Sequence, residues 1–181
     1  ISDHARVIGA VNTVIKRDGQ VHGDNTDWLG FLADLAWHDV DVNTLRRALV
    51  LGAGGSARGV VYALLQRGLR VSIVNRDGAR ALALAQDLAT LGSVRACASA
   101  REVDAPELIV NCTSAGMDPN EHSSPWPDDL PFPGDAVLYD LVYKPRLTRV
   151  MRLAQDAGAR AIGGAGMLAE QGAAAFELWT G

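Results

Sequence analysis

A cluster of glycines between an apolar strand and an amphipathic helix constrains this chain more than any other stretch. Arg47-Ala48-Leu49-Val50-Leu51 reads as a buried strand, Gly52-Ala53-Gly54-Gly55-Ser56-Ala57 as a tight turn, and Val60-Val61-Tyr62-Ala63-Leu64-Leu65 as a helix. Strand, turn and helix in that order gather free backbone amides and the positive end of a helix dipole around a small concavity, which suits a pyrophosphate. The spacing departs from a strict Gly-x-Gly-x-x-Gly, and a turn of this kind also serves as a strand-to-helix connection with no ligand. Gly52, Ala53, Gly54, Gly55 and Ser56 are therefore candidate cofactor-binding residues whose role rests on the rest of the chain.

Downstream, strands alternate with helices. Strands are predicted at 69–74, 94–97, 108–111, 136–140 and 160–162, and helices at 79–89, 147–157 and 167–179. The last helix carries Leu168, Gln171, Ala175, Phe176 and Trp179 as candidate inward positions. Parallel neighbours need crossover connections, so the pattern predicts an α/β fold, a Rossmann-like doubly wound parallel sheet. Residues 118–134 hold five prolines and read as a long irregular loop. Upstream, residues 7–15 are rich in β-formers, Asp18-Gly19 is a favoured turn pair, and 21–23 reads as a returning strand, together a hairpin. A helix follows to about Trp37, with Thr26 or Asp27 as its cap. Met117 and Met167 read as packing residues.

With 181 residues, 48% of them hydrophobic, the chain suffices for one good-sized domain and a small appendage. A net charge of -4 without a basic run argues against nucleic acid as a partner. Cys97 and Cys112, far apart in sequence, read as reduced and mostly buried thiols of a cytoplasmic protein. No segment has transmembrane length or a signal-peptide pattern. His4, His22, His38 and His122 lack metal-ligand spacing, and no metal is expected. Cys112 has no partner motif that would make it a nucleophile. The start at Ile1, in mid-pattern and without an initiator methionine, is read as part of a longer chain.

The end of the second parallel strand selects the nucleotide. A carboxylate there would accept from both ribose hydroxyls and favour NAD. Here the strand ends in Asn75-Arg76, with Arg80 one turn on. An uncharged Asn75 leaves room for a 2′-phosphate, and the two arginines can pair with it, so NADP is favoured over NAD. Asp77 keeps the alternative open. It repels a 2′-phosphate if it points inward, and it caps the next helix if it does not.

Taken together, several segments resemble the shikimate dehydrogenase family. They are Gly9-Ala10-Val11-Asn12-Thr13-Val14, Gly23-Asp24-Asn25-Thr26-Asp27, the glycine turn through Arg58, Asn75-Arg76 with Arg80, Asn111-Cys112-Thr113-Ser114-Ala115-Gly116-Met117, Tyr139-Asp140-Leu141-Val142-Tyr143-Lys144-Pro145, and Gly164-Ala165-Gly166-Met167-Leu168-Ala169-Glu170-Gln171. They stand in the family's order and cover nearly the whole chain. The resemblance implies an NADP-dependent oxidoreductase that interconverts shikimate and 3-dehydroshikimate in aromatic amino acid biosynthesis, with its active site in a cleft between a substrate domain and a nucleotide domain. It implies that residues 1–26 are the C-terminal remnant of the substrate-binding domain and that 27–181 form the NADP-binding domain. By the same resemblance, Asn12, Asp27, Tyr143 and Gln171 bind substrate, and Asp27 also pairs with a catalytic lysine. Residues 52–56 hold the pyrophosphate, Asn75, Arg76 and Arg80 the 2′-phosphate end, and Leu141 and Gly164 flank the nicotinamide.

The departure from the family pattern is the lysine itself. Its motif lies upstream of Asn12 in the family, together with the residues that bind the substrate carboxylate, and is not found here. Lys16 and Lys144 stand outside that motif. Alcohol oxidation needs a group to take the hydroxyl proton, so residues 1–181 alone are expected to bind cofactor better than they catalyse. Two other readings remain: a quinate/shikimate dehydrogenase that uses NAD, and a non-catalytic nucleotide-binding module. The resemblance leaves the assembly as monomer or homodimer.

Overall fold

The computed structural model describes residues 1–181. Six strands form one parallel sheet: β3 (Arg47–Leu51), β4 (Arg70–Val74), β5 (Val94–Cys97), β6 (Leu108–Asn111), β7 (Val137–Asp140) and β8 (Arg160–Gly163). Their order is β5-β4-β3-β6-β7-β8, so the chain winds outward from β3 in one direction and then, from β6, in the other. The register sets Val50 beside Ile73 on one side and Val110 on the other. Both faces are covered, which is why the central strands are nearly continuous apolar runs rather than alternating ones.

Alternate residues of each strand feed two separate cores. Val50, Val110, Tyr139 and Ile73 face helices α2 (Asp27–Trp37), α3 (Gly55–Gln66), α4 (Gly78–Leu88) and α6 (Ala165–Thr180). Leu49, Leu51, Ile109 and Leu138 face α5 (Arg149–Asp156) and the proline-rich segment. That segment has no regular structure, as expected, yet it is part of the core. Trp126 and Phe132 are buried with ring centroids 4.7 Å apart, and the Trp126 indole N–H donates to the Leu130 carbonyl at 2.8 Å. It covers the sheet where a helix would otherwise lie, while its prolines keep the backbone out of helix.

The hairpin is formed by β1 (Thr13–Arg17) and β2 (Gln20–Asp24), paired antiparallel around Asp18 and Gly19, both at positive φ. That is the turn geometry that matches strand twist. The strand expectation fails before Thr13: residues 3–8 form a helix, α1 (Asp3–Ile8). The Ser2 hydroxyl accepts from the Ala5 N–H, and Gly9 closes the other end in the left-handed region at φ 71. Caps at both ends outweigh the β preference of Val7 and Ile8 in so short a piece.

Three further expectations need correction. Thr26 occupies the N-cap position of α2, but its hydroxyl makes no cap; Asn25 Oδ1 accepts the Asp27 N–H instead, at 3.1 Å. On α6, Met167 and Ala175 are the buried positions, whereas Leu168, Phe176 and Trp179 are exposed. The helix packs along α2 through its small residues, so the bulky ones are turned outward. Met117 also is exposed rather than packed. No helix is long and apolar enough to cross a membrane.

Candidate active site

Strand order reverses between β3 and β6, and a cleft of about 680 Å³ opens outside their carboxyl ends. Such a crevice is where open parallel sheets bind ligands. Gly52, Ala53 and Gly54 form its floor, Asn75, Arg76 and Arg80 one wall, and Thr113, Ser114 and Ser124 the other. Gly52 has φ 112, and a Cβ there would stand 3.1 Å from the Cys112 backbone. Only glycine allows this approach of the turn to the neighbouring strand end. Gly54 and Gly55 differ: a Cβ on either would meet nothing within 4 Å. The space above them is open, and the first amides of α3, at Gly55 and Ser56, have no carbonyl within the helix to bond. The turn thus has open space at Gly54 and Gly55 and free amides at Gly55 and Ser56, which suit a pyrophosphate.

At the end of β4, Asp77 is the N-cap of α4. Its Oδ1 accepts the Ala79 N–H at 3.1 Å, and its Oδ2 lies 3.4 Å from Arg80 Nε. Asn75 Nδ2 donates to the Asp77 carbonyl at 2.9 Å. The carboxylate is therefore engaged along its own helix, while Arg76 and Arg80 line the cleft and remain exposed. This is the second of the two placements that the sequence left open for Asp77.

Behind the cleft lies a polar network that sequence reasoning missed. Asp140, fully buried at the end of β7, accepts from Asn111 Nδ2 at 2.8 Å, the Val142 N–H at 3.1 Å and the Thr148 hydroxyl at 2.5 Å. Asn111 Oδ1 in turn accepts from the Thr113 N–H and hydroxyl, at 2.9 and 2.7 Å. Burial pushes the Asp140 carboxyl above the ordinary carboxylate range, and the three hydrogen bonds offset part of that. The network fixes the loops after β6 and β7, and so the wall at Thr113. Its sequence signal was polar residues closing two otherwise apolar strands. Cys112, between Asn111 and Thr113, has its thiol pushed far up by burial and then by the Asp140 and Asp27 charges, which suits packing and not nucleophilic attack.

A second cluster gathers on the other side of the glycine turn. Asn12 Nδ2 donates to Asp27 Oδ1 at 2.8 Å and to the Thr26 hydroxyl at 3.0 Å, with Gln171 Oε1 at 3.4 Å. Asn12 Oδ1 accepts the Thr26 N–H at 2.9 Å. Three of the four predicted substrate residues thus meet, although 159 positions separate Asn12 from Gln171. Buried Thr26, expected only as a cap, is the inner member of the cluster. Close helix contact makes the meeting possible. A Cβ on Gly30 of α2 would stand 2.6 Å from the Gln171 backbone nitrogen of α6. Further along, Asp34 is buried against Gly166 and accepts from the Tyr139 hydroxyl at 2.5 Å, tying α2 to β7.

Tyr143 follows β7 and is about half exposed (52%), outside the hydrogen-bonded cluster. Leu141 and Gly164 lie together at the ends of β7 and β8, where a Cβ on Gly164 would strike the Leu141 backbone. They adjoin the cleft without lining it. Lys16 and Lys144 are both exposed. No group of three or more His, Cys, Asp or Glu side chains could hold a metal ion.

Comparison with known proteins gives the arrangement its context. The sequence pattern of the Shikimate / quinate 5-dehydrogenase family matches residues 34–117, and that of the Shikimate 5'-dehydrogenase C-terminal domain matches 164–181. Shikimate dehydrogenase (NADP(+)) of Salinibacter ruber is 44% identical over 99% of this chain and 66% of its own length. The structure of shikimate 5-dehydrogenase from Thermus thermophilus, in complex with NADP(H) and shikimate, aligns with a TM-score of 0.88 at 44% identity, over 99% of this chain and 65% of that one. Quinate dehydrogenase from Corynebacterium glutamicum, in complex with NAD, aligns at 0.86 with 29% identity, over 99% and 65%. The chain spans just under two thirds of the length of these relatives. On these matches, the chain belongs to the shikimate dehydrogenase family.

Proposed function

We propose that this chain is the cofactor-binding part, with the adjoining edge of the substrate site, of an NADP-dependent oxidoreductase that interconverts shikimate and 3-dehydroshikimate. The observation that carries the reading is the wall of the cleft at Asn75, Arg76 and Arg80, where the neighbouring carboxylate, Asp77, is engaged in capping α4. Arg76 and Arg80 hold the 2′-phosphate, residues 52–56 the pyrophosphate, and Leu141 and Gly164 flank the nicotinamide ring. Bound NADP supplies a hydride acceptor for the alcohol carbon. Asn12, Asp27 and Gln171 offer donors and acceptors side by side, as recognition of a polyol requires, and unmade hydrogen bonds there are costly. Tyr143 closes the substrate side from the β7 loop. Asp27 is the anion that pairs with and holds the proton-accepting lysine. Reduced Cys97 and Cys112 suit a cytoplasmic enzyme, acting as a monomer or homodimer.

Titrating NADP and NAD into the protein tests the reading. NADP should bind about tenfold or more tightly than NAD, as paired guanidinium–phosphate contacts allow. Replacing Arg76 and Arg80 together by alanine should abolish that preference and leave NAD affinity unchanged. Equal affinities in the unaltered protein, or tighter NAD, would overturn the assignment and favour the quinate/shikimate reading with NAD. A nucleotide-binding module without catalysis has no need of the Asn12–Asp27–Gln171 cluster.

A further inference from the structure

Arg58 stands one turn into α3, and its charge beside a phosphate-binding turn invites a role as phosphate ligand. The structure directs it elsewhere. Arg58 Nε donates to the Ile8 carbonyl at 2.5 Å, and Nη2 donates to Asp87 Oδ2 at 2.7 Å. The side chain is 21% exposed and lies against Gly9, where a Cβ would stand 2.6 Å from Nη2. Ile8 is the last residue of α1, so its carbonyl lacks a partner within the helix, and a guanidinium both bonds it and opposes the negative helix end.

The next residue of α3 holds the other end of the same segment. A Cβ on Gly59 would lie 3.1 Å from Asp27 Cβ and 3.4 Å from Asn25 Oδ1. Asn25 Nδ2 donates to the Ala10 carbonyl at 3.1 Å. Two consecutive residues of one helix therefore seat both strands of chain that carry Asn12 and Asp27. The same helix turns its N-terminus to the cleft.

Resting on the reading of residues 52–56 as a phosphate turn, we propose that Arg58 is a positioning residue that clamps the Asn12-bearing segment onto α3, and not a ligand of the cofactor phosphates. Hydrogen exchange of the residue 1–24 segment, followed by mass spectrometry in the presence and absence of NADP, tests this. In Arg58→Ala, exchange across residues 1–12 should rise about tenfold while β3 and β6 keep their protection, a local opening and not global unfolding. Arg58→Met, which keeps the apolar stem and has no donor for the Ile8 carbonyl, serves the same purpose if the alanine variant does not fold. Arg58→Lys, which keeps a donor for the Ile8 carbonyl, should return exchange to within about threefold of the unaltered protein. Asp87→Asn, which spares that bond, should leave it unchanged.

NADP affinity should change less than about twofold in all four, because no phosphate contact is lost. Unaltered protection of residues 1–12 in the alanine or methionine variant would overturn the clamp. So would a tenfold or greater loss of NADP affinity with that protection intact. If the unaltered protein binds no NADP, the cofactor reading fails, and exchange without ligand still decides the clamp.

Discussion

The cleft at the strand ends and the Asn12–Asp27–Gln171 cluster are built by different means. The cleft is mostly backbone and strand ends, drawn from residues 51–125 and set on a sheet whose register leaves little freedom. The cluster is made of side chains, from the residue that leads into a two-stranded hairpin, the start of one helix and the second turn of another, joined by hydrogen bonds of 2.8 to 3.4 Å. A two-stranded hairpin has little stability of its own. Its order here depends on α2, α3 and α6, so changes at helix crossings should damage the cluster first. Changes at Gly54 or Gly55 of the glycine turn should remove binding without loosening the fold.

The largest effect that would sharpen this contrast is expected at Gly30. Its Cβ would meet backbone atoms of Gln171 and Met167, which cannot move aside without separating α2 from α6. Gly30→Ala should destabilise the protein by about 3 kcal/mol, read from the denaturant midpoint at constant m-value. An unchanged midpoint would show that the helix crossing is not the constraint. Gly54→Ala addresses the other region. Nothing lies within 4 Å of the added methyl, so stability should stay within about 0.5 kcal/mol. NADP affinity should nonetheless fall about tenfold or more by calorimetric titration, because the methyl fills the phosphate space. A loss of stability without loss of affinity would reverse the comparison.

A smaller effect should follow from Asp77→Ala. Loss of the cap on α4 is worth about 1 kcal/mol in the thermal or chemical midpoint. NADP binding should not weaken, since the carboxylate is assigned no cofactor contact. The smallest effect concerns Asp140 and pH. Its carboxyl is raised in the folded state. Such a group contributes stability that is complete below its unfolded pKa of about 3.9 and is lost as pH rises through the folded value. Asp140→Asn cannot ionise. Midpoints measured from acid to neutral pH should therefore show the variant gaining stability relative to the unaltered protein as pH rises. A variant that loses ground as pH rises would contradict the direction of the shift.

How far the sequence could be read follows from the range of the interactions. The glycine turn, the β3-to-α3 unit and the β4-to-α4 unit were legible because contiguous residues specify them. The helix at residues 3–8 was not, because two caps, Ser2 and Gly9, decide between helix and strand for a piece whose side chains favour strand. The exposed faces of Phe176 and Trp179 were misread for a related reason. Periodicity marks an apolar stripe, but contact through Gly30 and Gly166 decides which stripe faces the neighbour. Thr26 and Asp140 were missed as network residues because a buried polar side chain declares itself only through its partners.

The sequence by itself determined the parallel α/β order, the phosphate-suited turn, the strand-end arginines and the segments shared with a family. Each of these lies in local pattern and residue type. Only the tertiary structure decided that Asp77 caps its own helix, that the proline-rich segment fills a layer of the core, and that Arg58 reaches back to α1. It alone brought Asn12, Asp27 and Gln171 together. The reason is physical. Side-chain direction and helix spacing are set by contacts between residues far apart in the chain, and no window of sequence contains both partners.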